Sequence, residues 1–73
     1  MKREQHIYRV SIATRWGKSY YTNMKKAHAE YKKECEAKGT KAKSYQLVTN
    51  NMKKDWAFRD EENQIIIEKI IIQ

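Results

Sequence analysis

Residues Met24 to Lys38 read M-K-K-A-H-A-E-Y-K-K-E-C-E-A-K, and this stretch decides the fold because it carries the one sustained helical period. Thr22 and Asn23 precede it with side-chain oxygens, placed where the first backbone N–H groups of a helix lack partners. Ala, Lys, Glu and Met fill most of its positions, and all are strong helix formers. Gly39 stands just past the end, where a left-handed residue closes many helices, and Lys38 complements the negative end of the dipole. Winding at about 100° per residue puts Met24, Ala27, His28, Tyr31 and Cys35 on one stripe. That stripe is the expected buried face. Lys25 and Lys32 flank it on one side and Glu30 and Glu34 on the other, with Lys26 and Lys33 pointing away.

Working toward the N-terminus, His6 to Trp16 alternates with a period of two. His6, Tyr8, Val10, Ile12, Thr14 and Trp16 share one face, and Ile7, Arg9, Ser11, Ala13 and Arg15 share the other. This is a strand with an apolar side and a basic side. Gly17-Lys18 can turn the chain, and Ser19 to Thr22 is either a short return strand or the loop into the helix.

Beyond Gly39 the pattern shortens. Thr40 to Lys43 reads as a polar connection and Ser44 to Thr49 as a strand, with Tyr45, Leu47 and Thr49 on one face. Asn50-Asn51 is a turn signal, because asparagine tolerates the left-handed region. Trp56 to Arg59 reads as another short strand, Glu61-Glu62-Asn63 as a solvated turn, and Gln64 to Ile72 as a β-branched last strand. In that strand Ile65 and Ile67 point one way and Ile70 and Ile72 the other. Either a bulge near Glu68-Lys69 brings all four to one face, or both faces are half apolar. The expected fold is α+β: a small antiparallel sheet of four to five strands with one helix packed on one face, in the order β(β)αβββ. The connection through the helix also leaves room for one parallel pair of strands.

At 73 residues the chain, 1–73, reads as a single small basic domain near the lower size limit for a self-sufficient core. One cysteine excludes an internal disulfide and a cysteine zinc cluster. With no signal-peptide pattern and no long apolar run, a soluble, cytoplasmic chain without membrane contact is expected. The net charge is +7, and it is uneven: residues 1–19 and 20–43 each carry +4, residues 44–60 carry +1, and residues 61–73 carry −2. A basic domain of this kind suits nucleic acid or an acidic protein surface.

No motif names a reaction. His28 and Cys35 share a stripe but lie about 10.5 Å apart along the axis at 1.5 Å per residue, too far for a thiol–imidazole pair. Both read as core residues. The carboxylates Asp60, Glu61 and Glu62 lack the spacing of a calcium loop, and two glycines do not make a phosphate-binding loop. No catalytic residue, metal site or cofactor is expected, and the chain does not read as an enzyme.

The chain reads as a non-catalytic binding domain whose basic surface engages nucleic acid or a nucleic-acid-handling protein. Its candidate binding residues are Arg9, Arg15, Lys18, Lys25, Lys32, Lys41, Lys43, Tyr20 and Tyr21, because cations contact phosphates while aromatic rings stack on unpaired bases. Trp16 and Tyr45 are interleaved with them. No ribonucleoprotein motif, GXXG loop or helix-turn-helix is present. The alternative is a protein-directed module. In size and composition, though on no shared motif, the chain looks like the small phage accessory proteins that inhibit a host or defence protein by direct binding, as anti-CRISPR proteins do. The isoleucine-rich C-terminal strand, with no proline to blunt it, also leaves a homodimer open.

Overall fold

The computed structural model describes residues 5–14 and 16–72. Helix α1 spans Met24–Lys38, and both ends close as the sequence dictates. Asn23 Oδ1 accepts from the Lys26 N–H at 2.9 Å. Gly39 turns left-handed at φ 75°. Its N–H donates to the Glu36 carbonyl at 3.0 Å, and the Thr40 N–H donates to that of Cys35 at 2.9 Å, the paired bonds of a Schellman ending. Met24, Ala27, Tyr31 and Cys35 are buried, and His28 is half-buried at the rim of the stripe.

The expected strand at Ser44 to Thr49 is instead the start of a second helix, α2, Tyr45–Asp55. Ser44 caps it, its Oγ accepting from the Leu47 N–H at 3.2 Å. Tyr45, Val48, Thr49 and Met52 then recur at helical spacing, with Val48 and Met52 buried. Tyr45, Leu47 and Thr49 happen to fit a period of two over five residues, too short a window to separate the two readings. Val48, Thr49 and two asparagines lower the intrinsic helix preference, and burial against the sheet overrides it. Asn50-Asn51 accordingly lies inside the helix, where Asn51 Nδ2 donates to the Leu47 carbonyl at 2.8 Å.

Four strands make one antiparallel sheet: β1 Gln5–Ile12, β2 Lys18–Tyr21, β3 Ala57–Asp60 and β4 Ile65–Ile72, in the order β2-β1-β4-β3. The element order is therefore ββααββ, with two helices where one was expected, and every strand pair is antiparallel. The return strand after Gly17 is real. β1 and β4 pair without interruption from Gln5↔Ile72 to Ile12↔Ile65, so no bulge interrupts β4 at Glu68-Lys69. Strict alternation follows. Ile65 and Ile67 join Val10, Ile12 and Phe58 beneath the helices in one core cluster with Met24, Ala27, Tyr31, Cys35, Val48 and Met52. Ile66, Glu68, Ile70 and Ile72 share the other face with Ile7, Arg9 and Ser11, since directly paired residues point the same way.

Both tryptophans depart from the strand reading. β1 ends at Ile12, so Trp16 lies in the β1–β2 connection and is fully exposed. Trp56 is not a strand residue. It closes α2 at φ 59°, its N–H donating to the Met52 carbonyl at 2.6 Å.

The turn between β3 and β4 is not solvated throughout. Asp60 and Asn63 are buried. Asp60 accepts from Asn63 Nδ2 at 2.8 Å, from the Asn63 N–H at 3.3 Å and from the Tyr31 hydroxyl at 2.7 Å. Tyr31 packs edge-on against Phe58, ring centres 5.6 Å apart, and its hydroxyl also accepts from the Lys43 N–H at 2.8 Å. One buried tyrosine therefore joins α1, the α1–α2 connection and the β3–β4 turn. Burial raises the Asp60 carboxyl, but the hydrogen bonds from Asn63 and Tyr31 outweigh it and hold the pKa below its ordinary value. Burial raises the Tyr31 hydroxyl.

Candidate nucleic-acid interface

α1 and α2 lie side by side on the sheet, and the seam between them opens into two clefts that share Tyr45. The first, about 370 Å³, is lined by His28, Lys32 and Glu36 of α1 and by the connection from Thr40 to Tyr45, including Lys41 and Lys43. The backbone of this cleft is fixed from below. His28 Nε2 lies 2.9 Å from the Lys43 carbonyl and donates to it in the tautomer protonated at that nitrogen. The Lys43 N–H is held by Tyr31. The His28 ring meets Tyr45 edge-on at 5.5 Å.

The second cleft, about 320 Å³, continues along α2 and is lined by Tyr8, Met24, Tyr45, Thr49, Met52, Lys53 and Lys69. Among the described residues, five lysines and one carboxylate, Glu36, thus line the two clefts. The α1 flank supplies the arrangement directly. Lys25, His28 and Lys32 lie on the side of the apolar stripe turned toward α2, and exposed Lys25 stands one heptad before Lys32. Glu30 lies on the opposite flank, where it accepts from the Ser19 hydroxyl at 2.9 Å.

The residues singled out from sequence divide between two surfaces. Lys32, Lys41 and Lys43 line the seam, and Lys25 is exposed on the same flank of α1 as Lys32. Arg9, Lys18 and Tyr20 lie on the far side of the sheet, because Arg9 pairs with Tyr20 and Ser11 with Lys18. Arg9 is already engaged there. Its Nε and Nη2 donate to Glu68 Oε1 at 3.1 and 2.7 Å, and that hydrogen bond raises its pKa. Tyr21 pairs with Tyr8 on the helix side of the sheet, and both rings are half-buried and pack against the core. Arg15 lies outside the described residues.

Tyr8, Lys53 and Lys69 were absent from the sequence-based set, and Tyr45 entered only among interleaved aromatics. Reading Ser44 to Thr49 as a strand separated Tyr45 from His28 and concealed that Lys53 returns to the same side one helical face later. The usable signal was Ser44 followed by Tyr45, Val48, Thr49 and Met52, a cap and then a helical period.

Among the described residues no helix packs over the far sheet face. Ile7, Ile66 and Ile70 are half-buried, Ile72 and Tyr20 are exposed, and the Arg9–Glu68 pair sits among them. Ala57 and Arg59 of β3 complete it. Elsewhere, Cys35 is wholly buried and burial raises its thiol pKa, so it offers no thiolate near neutral pH. Among the described residues no group of three His, Cys, Asp or Glu side chains is placed to hold a metal ion, and no helix is long and apolar enough to cross a membrane. No protein-family model matches the chain, nor does any curated protein or solved structure.

Proposed function

We propose that this is a binding domain that engages nucleic acid along the α1–α2 seam. The observation that carries the reading is the lining of the two adjoining clefts: Lys32, Lys41, Lys43, Lys53 and Lys69 against Glu36, with Tyr45 common to both. Lysines drawn from α1, the connection, α2 and β4 converge on one strip, and a polyanion replaces the condensed counterions it releases. Removing Lys32, Lys41 and Lys53 together, each to glutamine, leaves the core untouched because all three are exposed. The triple variant is expected to bind oligonucleotides with a slope of log K against log salt reduced by about 2–3. An unchanged slope for a protein that still binds would move the interface elsewhere. Absence of binding at low salt to single strands and duplexes of DNA and RNA would end the reading.

The far sheet face supports a second reading, direct docking on a protein, in the manner of a small inhibitor. Contiguous exposed apolar surface marks interaction sites. Glu68 is taken by Arg9, and among the described residues the other charged side chains on this face are Lys18 and Arg59, the latter 4.0 Å from Asp55. Charge complementarity therefore specifies an apolar partner surface with an acidic rim. A second copy of the chain would bring the same excess of positive charge to the contact, so a homodimer through β4 is the less favoured occupant. Light scattering across a concentration series tests this, with a constant monomer mass expected.

A further inference from the structure

We infer that the cleft between α2 and the sheet takes the base of an unpaired nucleotide, so that the seam selects single-stranded over duplex nucleic acid. The inference rests on the nucleic-acid reading above and names its substrate class. The two clefts differ in a way that assigns them different parts of a strand. The cleft around Lys32, Lys41 and Lys43 contains a carboxylate, Glu36, and is walled by polar backbone and short side chains. It suits a solvated phosphodiester. Among the described residues no carboxylate lines the cleft around Lys53 and Lys69, and its lining includes Met24 and Met52, 7% and 3% exposed.

Two phenol rings, Tyr8 and Tyr45, line the same space, and the cations come from separate elements, Lys53 from α2 and Lys69 from β4. An inorganic anion alone gains nothing from methionines and tyrosines. An aliphatic chain gains nothing from paired ammonium groups. A planar base carrying a phosphate uses both, stacking on aromatic and thioether surface while the phosphate meets the lysines. A base held inside a duplex cannot leave its stack to enter without an unstacking cost. Tyr45 lines both clefts, so a single strand that passes this ring would reach both. RNA and DNA share this chemistry.

The test measures binding of the full chain to fifteen-nucleotide oligo(dT), oligo(rU) and a duplex of equal length, at low salt and across a salt series. Tyr45→Ala removes the shared ring at a position 37% exposed, and Tyr45→Phe keeps it. For whichever single strand binds tighter, Tyr45→Ala is expected to lower affinity roughly 5- to 100-fold with the salt slope unchanged. Tyr45→Phe should bind as the wild type, and the duplex should bind more weakly and ignore both changes. Lys53→Gln with Lys69→Gln should reduce the slope as well as the affinity. A thermal melt of each variant identifies any loss due to unfolding, and Tyr8→Phe, Tyr8→Ala then repeat the comparison from the sheet side. Single-strand affinity indifferent to Tyr45, Tyr8 and the Lys53–Lys69 pair, in a protein whose Lys32–Lys41–Lys43 side still governs binding, would overturn the inference and leave the nucleic-acid reading intact. No binding to any of the three probes would overturn both.

Discussion

The helix seam and the far sheet face both carry cations beside aromatic rings, and they dispose of them in opposite ways. Along the seam five lysines line two open clefts, and among the described lining residues Glu36 is the one carboxylate. On the sheet face the central cation is consumed: Arg9 lies 2.7 Å from Glu68, among isoleucines. Positive charge kept together has to be balanced by something from outside, whereas a paired charge among β-branched side chains leaves mainly apolar area to bind with. The same composition therefore yields two surfaces of different chemical character. Composition alone, which shows only an excess of lysine and arginine, does not separate them.

The seam depends on the hydroxyl of Tyr31, which ties its backbone at Lys43 to Asp60 at the end of β3. The largest expected effect follows. Tyr31→Ala should cost roughly 3–5 kcal/mol, as large-to-small aromatic changes in cores do, enough to leave so small a domain mostly unfolded at 25 °C. Urea unfolding followed by circular dichroism measures it, and a midpoint near that of the wild type would remove Tyr31 from the centre of the structure. Tyr31→Phe keeps the ring and strips the hydrogen bonds, at a cost of about 1–3 kcal/mol for a buried acceptor left short of a donor. Its distinct signature should be faster amide exchange at Lys43, with little change on the sheet face.

A smaller effect separates the two sides by pH. The folded pKa of Asp60 lies below its ordinary value, so its contribution is fully present above the unfolded carboxylate value, near 4. It is lost as pH falls through the lower, folded value. Asp60→Asn should therefore flatten the acid limb of the stability curve below about pH 4. An acid limb identical to that of the wild type would show the carboxylate to be uninvolved. The smallest effect belongs to the sheet face. Glu68→Gln loosens an ion pair whose side chains retain 27% and 34% of their exposure, and after solvent screening the cost should be about 0.5 kcal/mol, shrinking further in high salt. A loss of several kcal/mol would mean that this face is organised by the pair and does not merely accommodate it.

The parts of the molecule that were legible in the sequence are those where local chemistry and tertiary packing agree. In α1, the cap at Asn23, the apolar stripe and Gly39 all specify one helix, and β1 alternates over enough residues to fix its buried side at Val10 and Ile12. Ser44 to Asp55 was illegible for the opposite reason. Val48, Thr49, Asn50 and Asn51 disfavour a helix locally, and only the burial of Val48 and Met52 decides it. The seam shares that misreading: Lys32, Lys41 and Lys43 stand on α1 and its exit, where the sequence already drew attention to them, while Lys53 and Lys69 join them only because α2 folds back beside α1. Asp60 and Asn63 were hidden too, since a run of polar residues in a turn gives no sign that two of them find partners inside.

On the proposed reading the seam, and not the sheet face, meets nucleic acid. The most direct test is an NMR titration of the isotopically labelled chain with a single-stranded oligonucleotide at low salt, following backbone amides and lysine side chains together. Perturbations are expected at Lys32, Lys41, Lys43, Tyr45, Thr49, Lys53 and Lys69, with Arg9, Lys18, Tyr20, Ile66 and Ile70 unmoved. Shifts confined to that second group, with the seam silent, would contradict the account.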